Sequence, residues 1–197
     1  YYAMISHVDK RVGNIIQTLK DNGLYENTII IFAGDNGLAV GQHGLMGKQN
    51  VYEHSVGVPL MIKAAAQHTG KKTADLCYLI DVFPTLCDML QLPVPQSVDG
   101  ISLLSSLDGK EPVRDYLYYS YMDNQRGISD GTWKLIEYHV NGKRTTQLFN
   151  LKNDPWERND LSGQKKYEKT IQRLREKMAE EQKRTNDTSV FWNNFSY

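Results

Sequence analysis

The chain has 197 residues, in which 23 Lys and Arg are balanced by 23 Asp and Glu. This balance excludes a whole-chain field that would attract nucleic acid or an anionic membrane, and we expect neither as a partner. The 40% apolar and 10% aromatic content is ordinary for a globular protein. No apolar run has the length needed to span a membrane. Because the chain starts with neither a signal peptide nor a translation start, we expect it to be cut at its N-terminus.

The first third of the chain predicts a helix that covers a sheet. Apolar residues recur at helical spacing over residues 3–21, and Asp21-Asn22-Gly23 follows as a helix stop. Residues 28–33 form a continuous β-branched and aromatic run, typical of a strand buried on both faces of a parallel or mixed sheet. Residues 58–62 predict the next strand, and Pro84 predicts the first turn of a helix over 84–90.

The pattern changes from about residue 113. Short aromatic and β-branched runs over 116–121, 132–138 and 147–151 predict strands, and Asp130-Gly131 and Asn141-Gly142 are typical of hairpin turns. An apolar stripe then predicts a charged helix over 164–184; its residues are Tyr167, Ile171, Leu174 and Met178. The chain is therefore interpreted as an α/β domain over 1–112 and a smaller antiparallel sheet with a C-terminal helix over 113–197.

Asp35 and Asn36 are candidate metal ligands. They come just after the first predicted strand, and ligands of open α/β sheets gather at the carboxyl ends of strands. A carboxylate and an amide carbonyl are hard oxygen donors that suit Ca²⁺ or Mg²⁺. Two neighbouring residues cannot complete such a site, so further ligands must come from elsewhere. The alternative is that Asp35-Asn36-Gly37 forms only a turn.

The loop that follows is rich in glycine and contains His43 and Lys48. Glycine permits close approach of the backbone to a ligand, and a lysine ammonium can bind a sulfate or phosphate oxygen. His43 could donate to the same anion or to a substrate hydroxyl. The alternatives are an exposed lysine without a role and, for His43 and His54, structural hydrogen bonding.

The order of these motifs resembles the sulfatase family of the alkaline-phosphatase-like superfamily. The matching residues are Asn27 to Phe32, Asp35-Asn36-Gly37, His43-Gly44, Gly47-Lys48, Tyr52-Glu53 and Val58-Pro59-Leu60. Residues 131–136 and 148–161 resemble the C-terminal part of the family, so that the resemblance covers about residues 1–161. Gly57 departs from it, since many relatives have arginine there.

The resemblance implies the fold and the site. We expect part of an alkaline-phosphatase-like sheet flanked by helices, with Asp35 and Asn36 as metal ligands, usually for Ca²⁺, and the remaining ligands outside this chain. Lys48 would touch the sulfate group. The family's nucleophile is a formylglycine hydrate made from a Cys or Ser in a Cys/Ser-x-Pro/Ala-x-Arg motif, which this sequence lacks. We therefore expect a C-terminal portion that is inactive alone and that pairs with the missing half of its catalytic domain.

The sequence leaves several functions open. The first is hydrolysis of a sulfate ester, on a glycan or aryl substrate, by the intact protein. The second is a phosphatase, phosphodiesterase or phosphonate hydrolase of the same superfamily, against which Asn36 argues because two-metal relatives usually have histidine there. The third is a non-catalytic binding module, and the fourth a nicked sulfatase. Family membership implies a periplasmic, lysosomal or secreted protein.

Overall fold

The computed structural model describes residues 1–64 and 70–188. The first unit that it forms contains Tyr1–Ala33 and Pro59–Lys71, and the second contains Gly34–Val58 and Lys72–Tyr197. The helices are α1 (Tyr2–Asp21), α2 (Glu53–Val56), α3 (Val82–Met89), α4 (Leu104–Leu107) and α5 (Glu168–Arg184). The strands are β1 (Ile30–Ala33), β2 (Leu60–Lys63), β3 (Leu117–Tyr121), β4 (Gln125–Ser129), β5 (Trp133–Val140) and β6 (Lys143–Asn150).

The first unit consists of α1 and the strand pair β1–β2. Helix α1 matches the expected helix, and none of its residues is buried. Strands β1 and β2 are antiparallel, with Ala33 opposite Leu60. An antiparallel pair excludes a purely parallel sheet but is compatible with a mixed one, because an apolar run carries no information on the direction of the neighbouring strand. The expected burial of β1 on both faces is wrong for the described residues, since Ile30 and Ile31 are half-buried and Phe32 and Ala33 are exposed. The Lys63 ammonium donates to the Tyr25 carbonyl at 2.6 Å and secures the turn before β1.

The second unit contains a four-stranded antiparallel sheet in the order β3-β4-β5-β6. The turn between β5 and β6 is confirmed, since Asn141 and Gly142 both take positive φ, 51° and 74°, as a type I′ hairpin requires. Strand β4 was missed from the sequence, because Gln125, Arg126 and Gly127 lack the β-branched and aromatic character of ordinary strands.

Both faces of this sheet are covered. One face packs against α5 through a core formed by Tyr118, Ile128, Leu135, Leu148, Ile171, Leu174 and Met178. The opposite face presents Ile136 and Phe149 to Val51 and Tyr52. The segment that carries the candidate site residues is thus built onto the sheet face opposite the C-terminal helix.

A buried ion pair holds the start of α3. Asp81 has no exposed surface, and its carboxylate takes two hydrogen bonds from the Arg114 guanidinium, at 2.7 and 2.8 Å. The same carboxylate accepts the backbone N–H groups of Tyr78 and Ile101. Helix α3 begins two residues before the expected position at Pro84.

The division of the chain into domains at residue 112 stays a prediction. Over residues 1–64 and 70–188, the structure contains no helix with the length and apolarity needed to cross a membrane.

Candidate functional site

The expected site residues all lie in the segment 34–58, called here the site segment. Three backbone hydrogen bonds fold it on itself: from the Gly37 N–H to the Ser55 carbonyl (2.9 Å), from Ala39 to Gly47 (3.0 Å) and from Gly41 to Leu45 (2.8 Å). The first of them ties the residues after Asp35-Asn36 to α2. The loop between Ala39 and Gly47 therefore has a defined path although most of its side chains are exposed.

Asp35 is exposed and Asn36 is half-buried. The Asp35 Oδ1 accepts the N–H of Asn36 at 2.9 Å. An Asx turn would instead use the N–H of Gly37, which donates to Ser55. Among the described residues the Asp35 carboxylate forms no ion pair, so that its second oxygen faces solvent with a free acceptor. The turn and the metal-ligand interpretations of Asp35 both stay predictions.

The glycines of the site segment have conformational reasons that the sequence did not reveal. Gly37 lies so close to the His54 carbonyl that a Cβ would collide with it. Gly41 and Gly44 have open space around them but take φ values of 97° and 70°, which favour glycine. Gly41 and Gly44 thus shape the loop itself, and the close backbone approach of Gly37 is to His54 in α2.

Lys48 follows Gly47 at the end of this loop, and its side chain is exposed. Its backbone N–H donates to the Gln49 side chain at 3.0 Å. In the described part of the chain its ammonium forms no ion pair, and no direct contact joins Lys48 to Asp35, Asn36 or His43. The structure thus leaves this cation available to an anion.

His43, Tyr52 and His54 form a cluster of three rings. His43 stacks on Tyr52 with 4.0 Å between ring centroids and 4° between planes, and His54 lies 5.6 Å from His43. Both nitrogens of His54 are buried without a hydrogen-bond partner among the described residues. Burial, together with the positive charges of His43 and Lys134, lowers the pKa of His54. The alternative expectation that His54 makes structural hydrogen bonds is therefore wrong within the described part of the chain, because neither of its ring nitrogens has a partner there.

A buried charge cluster lies beneath the ring cluster. The Lys134 side chain is fully buried, and its ammonium lies 2.7 Å from Glu53 and 3.0 Å from Glu157. The Glu53 N–H donates to the Glu157 carboxylate at 2.6 Å. Burial raises the pKa of Glu157, and the attraction of Lys134 opposes the shift. No role was predicted for these three residues, although a lysine inside an apolar strand indicates a buried charge that needs a partner.

A divalent cation such as Ca²⁺ needs several oxygen ligands, and Asp35 and Asn36 can supply some of them. Asp35 and Asn36 offer one free carboxylate oxygen and one amide carbonyl, which fit part of a Ca²⁺ or Mg²⁺ site. Over the described ranges no group of three or more His, Cys, Asp or Glu side chains is placed to hold a metal ion. These residues fit a metal only as a partial set of ligands.

Residues 41–184 match the family described as N-sulphoglucosamine sulphohydrolase, C-terminal. The chain belongs to the sulfatase family. Members of this family generally use a metal ion. The expectation drawn from the spaced motifs of the site segment is thus confirmed.

Individual sulfatases and related hydrolases resemble the chain over most of its length. It is 30% identical to N-acetylglucosamine-6-O-sulfatase of Bacteroides thetaiotaomicron, over 95% of this chain and 36% of the relative. A solved structure of a protein in complex with its substrate D-glucosamine-2-N,6-O-disulfate aligns with a TM-score of 0.81 at 29% identity, over 95% of this chain and 40% of that one. The phosphonate monoester hydrolase of Agrobacterium radiobacter aligns with a TM-score of 0.77 at 28% identity, over 91% and 40%.

The expected fold class of this sulfatase chain is confirmed, with the mixture of helices and antiparallel sheets that those structures share. The chain spans about a third of the length of the curated relatives that it matches. It corresponds to their C-terminal portion.

Proposed function

We propose that the intact protein hydrolyses a sulfate ester on a glycan or aryl substrate. The observation that carries the proposal is that Asp35 and Lys48 are exposed and form no ion pair with residues 1–64 or 70–188, while the rest of the site segment is tied down by hydrogen bonds. Supporting relatives include the N-acetylglucosamine-6-O-sulfatase and the structure with a bound disulfated glucosamine.

In this proposal each of the four predicted site residues has one role. Asp35 and Asn36 supply oxygen ligands to a divalent cation, Ca²⁺ by preference and Mg²⁺ as the alternative, and the other ligands come from outside the chain. The cation, when bound, withdraws charge from a sulfate oxygen. Lys48 binds a sulfate oxygen and stabilises the negative charge that gathers there as the ester S–O bond breaks. His43 donates to the substrate, either to the anion or to a ring hydroxyl.

The nucleophile is proposed to come from a preceding part of the protein, as the resemblance to formylglycine-dependent sulfatases implies. The same part would cover the apolar stripe of α1, where Ile5, Val8 and Ile15 are 49%, 51% and 62% exposed. Apolar surface of this extent is favourable only when another surface covers it. The proposed partner of this chain is therefore the other half of its own catalytic domain, in a protein that is secreted, lysosomal or periplasmic.

A phosphonate or phosphate ester hydrolase is the alternative, and the likeness to the Agrobacterium enzyme favours it. Sulfate and phosphonate groups have similar shapes, so Lys48 could serve either. The amide of Asn36 supports the sulfatase, because two-metal relatives usually have histidine at that position. A non-catalytic binding module could use Lys48 to hold a sulfated ligand, but the relatives named above are described as a sulfatase, a protein bound to its substrate and a hydrolase, which makes this the weakest of the three.

The test is an assay of the full-length protein on aryl sulfate, sulfated glucosamine and aryl phosphonate substrates. We expect the sulfates to be turned over faster than the phosphonate. Lys48→Ala should lower kcat by about 10²- to 10³-fold, while Lys143→Ala, at an exposed hairpin, should leave it unchanged. A protein that prefers the phosphonate would establish the alternative, and one that binds sulfated sugars without turnover would establish the binding module.

The metal assignment is tested separately by elemental analysis. Asp35→Ala should lose the divalent cation, whereas Asp115→Ala, which removes another exposed carboxylate, should retain it. Full occupancy in Asp35→Ala would remove Asp35 from the ligand set without deciding the reaction.

A further inference from the structure

We propose that Tyr52 is a positioning residue that orients His43 toward the substrate, and that the C-terminal sheet controls this orientation through Gln147. The proposal rests on the proposed function, in which His43 contacts the substrate. It adds a residue that touches neither the substrate nor the metal.

The first observation is the stack itself. The rings of His43 and Tyr52 are parallel within 4° and 4.0 Å apart. His43 is exposed, and an exposed histidine without such a partner samples several rotamers. The flat face of Tyr52 restricts the His43 ring to one plane, so that its nitrogens point in defined directions.

The backbone of His43 supports the same conclusion independently. His43 has a φ of 52°, in the left-handed region that a non-glycine residue occupies only at a cost. This conformation lies within the short turn Gln42–Gly44, which the hydrogen bond from Gly41 to Leu45 closes. Strained residues of this kind cluster where the chain must present a side chain in a set direction.

Tyr52 is itself held rigidly. Only 8% of it is exposed, its hydroxyl donates to the Gln147 side chain at 2.7 Å, and its N–H donates to Asn50 at 3.0 Å. The edge of its ring meets Phe149 with 6.1 Å between centroids. A ring that is fixed on three sides can impose its orientation on the exposed ring stacked on it.

The sheet register explains why Gln147 is in place. Gln147 lies opposite Ile136 and Phe149 lies opposite Lys134 in the β5–β6 pair. Side chains alternate between faces, so these four residues share the face that meets the site segment. Lys134 and Glu157 hold Glu53, the neighbour of Tyr52, from the same face. One sheet face thus fixes both the ring and the backbone beside it.

The test is a double-mutant cycle between His43→Ala and Tyr52→Leu, measured as kcat and KM of the full-length protein on its sulfate ester. If Tyr52 acts through His43, each single variant raises KM by about tenfold with little change in kcat, and the double variant is no worse than His43→Ala alone. Tyr52→Phe keeps the stacking ring but loses the hydrogen bond to Gln147, so its KM should lie between those of the wild type and Tyr52→Leu and should match that of Gln147→Leu.

Leu148→Val is the matched control, because Leu148 lies in the same strand as Gln147 but belongs to the core on the opposite face of the sheet, away from Tyr52. Its effect should multiply with that of His43→Ala. Should Tyr52→Leu fail to fold, Gln147→Leu releases the Tyr52 hydroxyl and leaves the ring in place. It should raise KM in the wild type and have no effect in His43→Ala.

Independent, multiplicative effects of Tyr52→Leu and His43→Ala would overturn the positioning role while the sulfatase function stands. A wild-type protein without activity on any sulfate ester would overturn both proposals. A fall in kcat with unchanged KM in Tyr52→Leu would also contradict the positioning role, since that pattern indicates an interaction made only in the transition state.

Discussion

The Lys134 ammonium lies 2.7 Å from the Glu53 carboxylate, although the two residues are 81 positions apart in the chain. Lys134 comes from the middle of the C-terminal sheet, and Glu53 begins the short helix α2 next to the ring cluster. The Lys134 side chain has no exposed surface, so its charge is compensated only by protein groups. This contact makes the geometry of the site segment depend on the sheet.

Removal of this lysine should be strongly destabilising. Lys134→Met leaves the buried Glu157 without its cation, and loss of one partner of a buried pair costs about 3–5 kcal/mol of the free energy of unfolding. The Lys134→Met/Glu157→Gln double variant should recover part of that loss. Denaturant unfolding of the single and double variants measures the difference; no recovery in the double variant would mean that Lys134 acts through its packing.

The same pair predicts a pH dependence. Burial raises the pKa of the Glu157 carboxyl above its ordinary value of 4.5. The stability contribution of a carboxyl with a raised pKa is full below pH 4.5 and is lost as pH rises through the folded-state pKa. Lys134→Met should therefore be less destabilising at pH 5 than at pH 8. Equal losses at both pH values would contradict the protonation of Glu157 in this variant.

His54 should make the protein less stable in acid. Its pKa is lowered by burial, so the unfolded chain binds a proton at this residue more readily than the folded one does. The contribution of neutral His54 to the free energy of unfolding is therefore full above the ordinary pKa of 6.5, and it declines as pH falls below that value. Unfolding midpoints between pH 8 and pH 5 should fall less steeply for His54→Phe than for the wild type. His7→Gln, at an exposed position on α1, should follow the wild-type curve.

Arg114 and Asp81 should tolerate little change. The guanidinium makes two parallel hydrogen bonds to a fully buried carboxylate, a geometry that the point charge of lysine cannot reproduce. Arg114→Lys should therefore lower stability, and Arg114→Met should lower it further, by about 3–5 kcal/mol. Chemical denaturation ranks the two variants, and an equal loss in both would show that the charge of lysine contributes nothing there.

Gly127 allows the site segment to reach the sheet. A Cβ at this position would lie 3.3 Å from the Leu135 carbonyl and 3.6 Å from the Val51 side chain. Gly127→Val should therefore destabilise by about 1–3 kcal/mol through overpacking, and Gly127→Ala by less. Thermal unfolding separates the two variants; a Val variant as stable as the wild type would mean that the Val51 segment moves aside without cost.

Sequence patterns predicted the elements whose own side chains decide their structure. The stripe of α5 is confirmed, since Ile171, Leu174 and Met178 are buried in the core. The Asn141-Gly142 turn is confirmed because both residues tolerate positive φ. In these cases local chemistry and tertiary packing agree.

Other features depend on contacts between distant parts of the chain and could not be predicted. Strand β4 is among the most buried of the sheet, yet its Gln125-Arg126-Gly127 start has poor strand character. Its burial comes from α5 on one face and Val51 on the other. Asp35, Asn36, His43 and Lys48 were selected by family resemblance and oxygen-ligand chemistry, and their roles stay predictions. Tyr52 gained a role only when its contacts with His43 and Gln147 were visible.

The site segment leaves the first unit after Ala33 and returns to it at Pro59, and Ala33 lies opposite Leu60 in the β1–β2 pair. The register of that pair is therefore independent of how many residues lie between them. The entropy of closing a longer connection rises only slowly with length. Insertions at the exposed tip beside Leu45 and Met46 should thus leave the fold intact. Insertions between Tyr52 and Ser55 would instead break contacts of this segment with the four-stranded sheet. A change in the length of this loop would therefore leave the register of the β1–β2 pair intact.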